Sequence, residues 1–324
     1  MVAKKVSVVI PAYNSEVTIE ECVKSIVRTG YAPLQVIVVD DCSTDNTRDI
    51  VQNLSNETPD VVHLLALKQN GGPSRARNRG AEQADGEYLF FVDSDTQMMP
   101  DTLSNFTLHI NETGADALSG IYHPSPLNSG AAPLYKALLN YFTCARHGIF
   151  DYEIFNGAVA GIRKDVYEKV GGYNESLDWG LDYENEEFGQ RVAASFSIKM
   201  DPSIQVRHHF DGVGKMTRLY FHRVSLWMEM FLKRKSFETN ALGSAPSGLS
   251  TVGGTLFQVF LLGALFIDPW LAAPATIFFG LYLYWYFGFL KFVVGKHLHF
   301  FPTAVILNLW FCNVLSSGAC YGVI

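Results

Sequence analysis

The sequence predicts an α/β domain with a mostly parallel sheet, followed by an amphipathic helix and transmembrane helices. Over residues 1–215, short apolar runs alternate with amphipathic stretches, which is typical of βαβ units. One of these runs, Tyr88–Val92, leads directly into the acidic stretch Asp93–Asp95. Between residues 252 and 324, only three residues are Lys, Arg, Asp or Glu. The pattern therefore combines a sheet domain with a region suited to a bilayer.

The overall charge limits the class of partner. With 25 basic and 32 acidic residues, the formal net charge of −7 argues against a nucleic-acid-binding protein. The five cysteines show neither paired metal-ligand spacing nor a disulfide framework. A length of 324 residues is consistent with about two folding units.

The alternation places strands and helices in the first 215 residues. Strands are predicted at Val6–Ile10, Gln35–Val39, Val61–Leu65, Tyr88–Val92, Ala115–Ile121 and Ala158–Ile162. Helices are predicted near Ser15–Arg28, Asp45–Asn53, Ser74–Gln83, Pro100–His109, Pro133–Arg146 and Lys164–Val170.

The remaining residues predict a membrane region. Met216–Lys235 is a basic amphipathic stretch of the kind that lies in a membrane interface. Three apolar runs follow, at 252–267, 270–294 and 300–324; a span needs about 20 apolar residues, so the first run is short. We therefore expect a sheet domain over 1–215, an interfacial helix and linker over 216–250, and two or three spans over 251–324.

The basic residues of this region predict its orientation. Lys233–Lys235, Lys291 and Lys296 fall on one side of the membrane if all three runs span it. The apolar runs predict a multi-pass membrane protein. By the positive-inside rule, its sheet domain lies on the cytoplasmic side.

Asp93 and Asp95 indicate a cation site. They follow a buried strand, and ligands bind at the carboxyl ends of strands in an open parallel sheet. Two anions held close together repel each other unless a cation lies between them. Hard carboxylate oxygens suit Mg²⁺ or Mn²⁺, and such an ion commonly accompanies a nucleoside diphosphate.

Three further turns are expected at the same edge. The first strand ends in Pro11–Asn14, the second in Asp40–Asp45, and a third turn spans Asn70–Asn78. Together they predict a nucleotide crevice with separate roles for its residues. The polar end of the first strand brings Pro11, Tyr13 and Asn14; either Asp40 or Asp41 accepts from a base N–H; Gly71 and Gly72 permit close backbone approach; and Arg77 offsets diphosphate charge.

The order and spacing of these motifs resemble the family 2 glycosyltransferases, which have the Rossmann-like GT-A fold. The family pattern is Pro-x-Tyr-Asn, Val-Asp-Asp-x-Ser-x-Asp, Gly-x-x-x-Ala-Arg-Asn and Asp-x-Asp, and all four motifs occur here in order. The resemblance covers about residues 5–210 and implies transfer of a sugar from a nucleotide-sugar donor. It also implies that Asp41, with Asp40 nearby, contacts base and ribose. Asp93 and Asp95 would hold the nucleotide and metal, and His208 would complete the metal or diphosphate shell.

The general-base motif departs from the family pattern. The family has Glu-Asp-x-Glu/Asp-Leu/Phe-x-x-Arg, whereas this chain has Glu184–Arg191 with Asn185 at the position of the base. Because an amide cannot take up a proton, the predicted base is Glu184, then Glu186, with Asp182 as a further candidate. A lipid-phosphate acceptor, whose oxygen is already anionic, would remove the need for a strong base.

The resemblance and the membrane region together predict an inverting glycosyltransferase. Its donor would be a UDP-sugar, its cofactor Mg²⁺ or Mn²⁺, and its acceptor a membrane lipid or lipid-linked molecule on the cytoplasmic face. Three alternatives stay open: a catalytically silent nucleotide-binding membrane protein, a processive polysaccharide synthase, and a sugar-phosphate nucleotidyltransferase. The second usually has more spans and a Gln-x-x-Arg-Trp segment, and the third has an Arg-containing, Gly-rich turn after its first strand.

Overall fold

The computed structural model describes residues 4–177, 183–234 and 245–323. The chain divides into two compact units. Unit 1 consists of Met1–Asn128 and His147–His209, and unit 2 consists of Ser129–Arg146 and Phe210–Ile324.

Unit 1 is a sheet flanked by helices. Its strands are β1 Val6–Ala12, β2 Leu34–Asp40, β3 Val62–Ala66, β4 Tyr88–Val92, β5 Thr96–Met98, β6 Ala117–Tyr122, β7 Phe150–Asp151, β8 Val159–Arg163 and β9 Ile198–His208. Its helices are α1 Ile19–Val27, α2 Thr47–Glu57, α3 Gly72–Gln83, α4 Thr102–Thr113, α6 Lys164–Val170 and α7 Tyr183–Ala193. Unit 2 contains α5 Ala131–Ala145, α8 Val213–Arg234, α9 Ala245–Phe266, α10 Ala272–Lys296 and α11 Phe301–Tyr321.

Strand β1 lies inside the sheet, where it pairs in parallel with β2 on one side and β4 on the other. Successive side chains of a strand point to opposite faces, so a run of apolar residues packs on both. Val8 and Phe90 lie in one core cluster, whereas Val9 and Phe91 lie in the other. The apolar runs of β1 and β4 are therefore explained by helices that cover both faces of the sheet.

The sheet is mixed beyond its first half. Its strand order is β3-β2-β1-β4-β8-β6-β9-β5, with β7 pairing β9. The strands from β3 to β4 are parallel, but β8 is antiparallel to both β4 and β6. The carboxyl ends of β1, β2 and β4 meet at one edge, and the turns that follow them carry the predicted site.

All six predicted strands of the sheet are present to within about two residues at each end. The predictions missed β9, although Ile198, Met200, Ile204 and Val206 of this strand are buried in the alternating manner that indicates one. The first helix begins at Ile19 and not at Ser15, because the carbonyl of Ser15 accepts from the N–H groups of Thr18 and Ile19 in a preceding turn.

Unit 2 contains the predicted membrane region. Three of its described segments are long and apolar enough to cross a membrane: Pro246–Phe266, Pro269–Lys296 and Leu298–Tyr321. The helix that contains the first apolar run is therefore also long enough to cross a membrane, which agrees with the larger of the two predicted numbers of spans. This helix begins at Ala245, because the mostly small residues 245–251, three of them Ser or Thr, extend it ahead of the apolar run.

The predicted interfacial stretch is helix α8, which packs within unit 2. Met216 is buried, and the rings of Tyr220 and Phe311 lie 5.1 Å apart. Lys235 lies outside the described residues. The in-plane position of α8, the domain boundaries at residues 215 and 250 and the cytoplasmic orientation stay predictions; α5, expected in the sheet domain, falls within unit 2.

Close packing of α11 on α8 depends on two glycines spaced four residues apart, the small-xxx-small pattern of membrane helix pairs. A Cβ at Gly318 would lie 2.6 Å from the Phe221 carbonyl oxygen, and a Cβ at Gly322 would collide with the carbonyl oxygen of Ser225.

We expect Gly318→Val to lower the free energy of unfolding by about 1–3 kcal/mol, as overpacking does. Thermal unfolding in detergent measures this. Gly280→Val on α10 is the matched control, because nothing lies within 4 Å of a Cβ there. Equal losses in both variants would contradict the packing argument.

Candidate active site

The turn before α3 is held by Asp41, whose carboxylate accepts from the backbone N–H groups of Gly71 at 3.0 Å and Gly72 at 2.7 Å. Gly72 has φ +82°, a conformation that favours glycine. Burial raises the pKa of Asp41 above its usual range, although these N–H donors act in the opposite direction. The Asp41 carboxylate is thus bound at the N-terminus of α3, where the helix dipole stabilises a negative charge. Its predicted contact with base and ribose stays a prediction.

The loops that follow β1 and β2 are joined by hydrogen bonds. The Asn14 side-chain oxygen accepts from the Thr44 N–H at 2.9 Å, and the Asn14 N–H donates to Ser43 Oγ at 3.0 Å. Asp40 accepts from the Ser43 N–H at 3.2 Å. Pro11 lies opposite Val39 in the β1–β2 register, and Tyr13, which follows, is 49% exposed. Tyr13 is thus the residue of this group that offers a ring surface to a ligand.

Arg77 forms ion pairs with two acidic side chains of unit 1, Asp93 and Glu184. It is buried on α3 and donates to Asp93 at 2.9 Å and to Glu184 at 3.4 Å. Its guanidinium lies 5.2 Å from the centre of the Tyr173 ring. Burial disfavours the charged form of Arg77, but Asp93, Tyr173 and Glu184 outweigh burial and raise its pKa. Arg77 therefore stays cationic and holds one acid from β4 and one from α7 together.

The neighbouring Asn78 positions Tyr173. Its side-chain oxygen accepts from the Tyr173 N–H at 2.8 Å, and its amide donates to the Tyr173 carbonyl at 2.9 Å. The sequence analysis gave Tyr173 no role in the site, although Gly171 and Gly172 before it both have positive φ and form a turn that fixes its position. Its ring also stacks on Phe188, with centres 4.5 Å apart.

Three predicted ligands come together at the end of β4. One ligand atom from each of Asp93, Asp95 and His208 lies within 4.8 Å of the others. His208 reaches this position because β9 pairs antiparallel with β5, which sets His208 opposite Thr96. Its Nε2 is 3.4 Å from Asp95 Oδ1. The approach of two carboxylates and an imidazole fits a hard or borderline divalent cation such as Mg²⁺ or Mn²⁺.

The histidine is oriented as a metal ligand would be. His208 Nδ1 lies 2.8 Å from the backbone carbonyl oxygen of His209, which can only accept a hydrogen bond. Nδ1 therefore carries the proton in the neutral ring, and Nε2 presents its lone pair beside Asp95. Metal-binding histidines commonly donate their other ring N–H to a carbonyl in this way.

The acids of α7 are engaged within the protein. Glu184 and Glu186 are 4% and 2% exposed, and Glu187 pairs with Arg191 at 2.7 Å. Asn185 Oδ1 lies 3.4 Å from the Tyr173 hydroxyl, which can donate to it. Asp182 lies outside the described residues. Of the three predicted bases, the structure therefore brings Glu184 to the site through Arg77 and Asp93 and keeps Glu186 buried on the same helix.

An α/β sheet whose carboxyl edge carries two carboxylates and a histidine beside a buried arginine is suited to binding a nucleotide and its cation. Residues 7–171, about half of the chain, match the family described as glycosyl transferase family 2. The chain belongs to this family, as the sequence predicted.

Several named relatives share the first part of the chain. A GalNAc(5)-diNAcBac-PP-undecaprenol beta-1,3-glucosyltransferase of Campylobacter jejuni is 35% identical over 108 residues, which cover 33% of this chain and 35% of that protein. The poly(ribitol-phosphate) beta-N-acetylglucosaminyltransferase TarS of Staphylococcus aureus is 40% identical over 116 residues, or 35% of this chain and 20% of TarS. The match thus spans about a third or less of these relatives.

Solved structures show the same fold. The mannosyltransferase PcManGT from Pyrobaculum calidifontis, in complex with GDP-Man and Mn²⁺, has a TM-score of 0.61 and 19% identity, and the match covers 99% of this chain and 87% of that one. TarS residues 1–349 with UDP-GlcNAc has a TM-score of 0.53 and 20% identity, covering 86% and 89%. The predicted GT-A-type domain followed by apolar C-terminal helices is confirmed.

Proposed function

We propose that this chain moves a sugar from a nucleotide-sugar donor to a membrane lipid or lipid-linked acceptor, with inversion at the anomeric carbon. The observation that carries the proposal is the approach of Asp93, Asp95 and His208 beside the cationic Arg77. A group of this composition suits the diphosphate of an activated sugar. The Campylobacter relative named for an undecaprenol-linked substrate and the apolar helices of unit 2 support a membrane acceptor.

The donor is assigned as a UDP-sugar. TarS structures contain UDP or UDP-GlcNAc, which supports a uridine base, whereas PcManGT was solved with GDP-Man. The residues proposed to hold base, ribose and diphosphate lie at this edge. They are Pro11, Tyr13, Asn14, Asp40, Asp41, Gly72, Arg77 and Asp93.

In the proposed mechanism, the acceptor oxygen attacks the anomeric carbon in line with the departing diphosphate. Asp95, Asp93 and His208 would hold Mg²⁺ or Mn²⁺, which supplies charge stabilisation to the leaving group when bound. Arg77 orients Asp93 and contributes a fixed positive charge in a buried site. Lys291 and Lys296 support placing this chemistry on the cytoplasmic side.

Purified full-length chain in detergent tests the proposal. With Mn²⁺, a panel of nucleotide-sugars and extracted membrane lipids, we expect release of nucleoside diphosphate together with labelled lipid. Removing the cation with EDTA should lower the rate by about 10²-fold or more, because the ion supplies several kcal/mol of stabilisation. Restoration by Mn²⁺ or Mg²⁺ is the control.

The silent nucleotide-binding alternative is kept because of Asn185, the amide at the position of the family's base. Metal-dependent nucleotide binding without turnover on any lipid would favour it and contradict the proposed transfer.

A further inference from the structure

The described part of α7 offers no acid that is both unengaged and open to an acceptor. Glu187 is neutralised by Arg191, four residues later, through two contacts of 2.7 and 2.9 Å. Glu184 is almost fully buried and shares the Arg77 guanidinium with Asp93. Glu186 is more buried still. A general base must lie within hydrogen-bond distance of the proton that it removes, and these paired or buried carboxylates are not placed to do so.

The position that usually holds the base is occupied by an amide that is packed in place. A Cβ added at Gly157 would collide with Asn185 Oδ1 and approach the Tyr173 hydroxyl within 3.1 Å. Asn185 is therefore confined between the Gly157 turn and Tyr173, next to the Arg77–Glu184 pair. An amide there can bind a polar group, but it cannot remove a proton from one.

We propose that the acceptor nucleophile is an oxygen already anionic at neutral pH, the terminal phosphate of a lipid monophosphate, and not a sugar hydroxyl. This inference rests on the proposed function and names its acceptor class. A hydroxyl must lose its proton during attack and so needs a positioned base. A phosphate monoester has a second pKa of about 6 and is mostly a dianion at pH 7.

The reaction balances without a proton acceptor. A phosphate oxygen of the lipid forms the bond to the anomeric carbon, while the bond from that carbon to the donor diphosphate breaks. The bonding electrons leave with the nucleoside diphosphate, which gains one negative charge, and the lipid phosphate becomes a glycosyl phosphodiester with one charge fewer. The protein needs to align the anion and shield its charge, and both tasks are compatible with Asn185.

A comparison of three acceptors tests the inference with full-length chain, Mn²⁺ and a labelled donor that supports turnover. They are a polyprenyl phosphate, the corresponding polyprenol, and a polyprenyl-diphosphate-linked sugar whose only nucleophiles are hydroxyls. We expect transfer to the phosphate alone, with a product that mild acid cleaves as a glycosyl phosphodiester. Transfer to the lipid-linked sugar at an equal or greater rate would overturn the inference but leave the proposed function standing. No transfer to any acceptor would count against both.

Two variants add an independent readout. Loss of a true general base costs about 10²–10⁴-fold, whereas we expect Asp182→Asn and Glu184→Gln to lower the rate on the phosphate acceptor by less than about 10-fold. Because Glu184→Gln removes a partner of Arg77, its thermal unfolding is measured alongside. A loss of 10²-fold or more in Asp182→Asn contradicts the inference.

Discussion

Asp95→Asn lowers the rate of sugar transfer by about 10³-fold, because it removes one anionic ligand from the cation group while keeping the side chain's size. A bound divalent ion is worth several kcal/mol to a departing diphosphate, and each 1.4 kcal/mol is a factor of ten. The variant should also need a higher Mn²⁺ concentration for half-maximal rate. Initial rates over a Mn²⁺ titration measure both effects.

The control for this variant is Asp101→Asn. Asp101 is an exposed acid that precedes α4 and caps no backbone N–H with its side chain. Asp101→Asn makes the same change of charge outside the site, so the transfer rate and Mn²⁺ dependence of this variant should match those of the wild type. If Asp95→Asn kept the full rate and the same Mn²⁺ dependence, the cation would lie elsewhere and the proposed function would lose its main support.

The central strands and the Asp93–Asp95 site were predictable because their signals are local. The apolar residues of β1 and β4 are next to one another in sequence, and burial on both faces of a sheet requires an unbroken apolar run. The acids that follow β4 stand out by their contrast with that run. Helix α3 likewise carries its own start signal, Pro73 in its first turn.

The pairing of distant residues was harder to predict. His208 reaches Asp95 only through the β5–β9 register, and no spacing rule relates residues on strands so far apart in sequence. His208 was proposed as a ligand from family resemblance alone. In the same way, Glu184 was chosen as a base from its position in a motif, while its contact with Arg77 depends on how α7 packs against α3.

The membrane region shows a different limit. Composition identified the apolar runs, but the helix that contains the first of them begins in residues 245–251, where Ser247, Ser250 and Thr251 interrupt the hydrophobic signal. Those residues serve helix packing: Ser250 donates to the Leu281 carbonyl at 2.9 Å, and Thr251 lies 3.0 Å from the Tyr286 hydroxyl. Inside a bilayer such polar contacts satisfy groups that lipid cannot.

Arg77→Met lowers the free energy of unfolding by about 3–5 kcal/mol, because it leaves two carboxylates close together without their cation. Glu184 is the more affected of the two, since its side chain is 6% exposed while that of Asp93 is 31% exposed. Thermal unfolding in detergent and binding of the donor nucleotide measure the effect. Arg79→Met, two residues along the same helix, is the matched control. Its pairs with Glu82 and Glu175 are exposed, so we expect a loss below about 1 kcal/mol.

A double variant separates the buried charge from the lost packing of Arg77 on Tyr173. If unpaired negative charge causes most of the loss, adding Glu184→Gln to Arg77→Met should recover part of the stability, even though Glu184→Gln alone is destabilising. The coupling free energy between the two positions would then be of the order of 1–3 kcal/mol. Simple additivity of the two losses would mean that Arg77 acts mainly through its contact with the Tyr173 ring, and the central role assigned to its charge would be wrong.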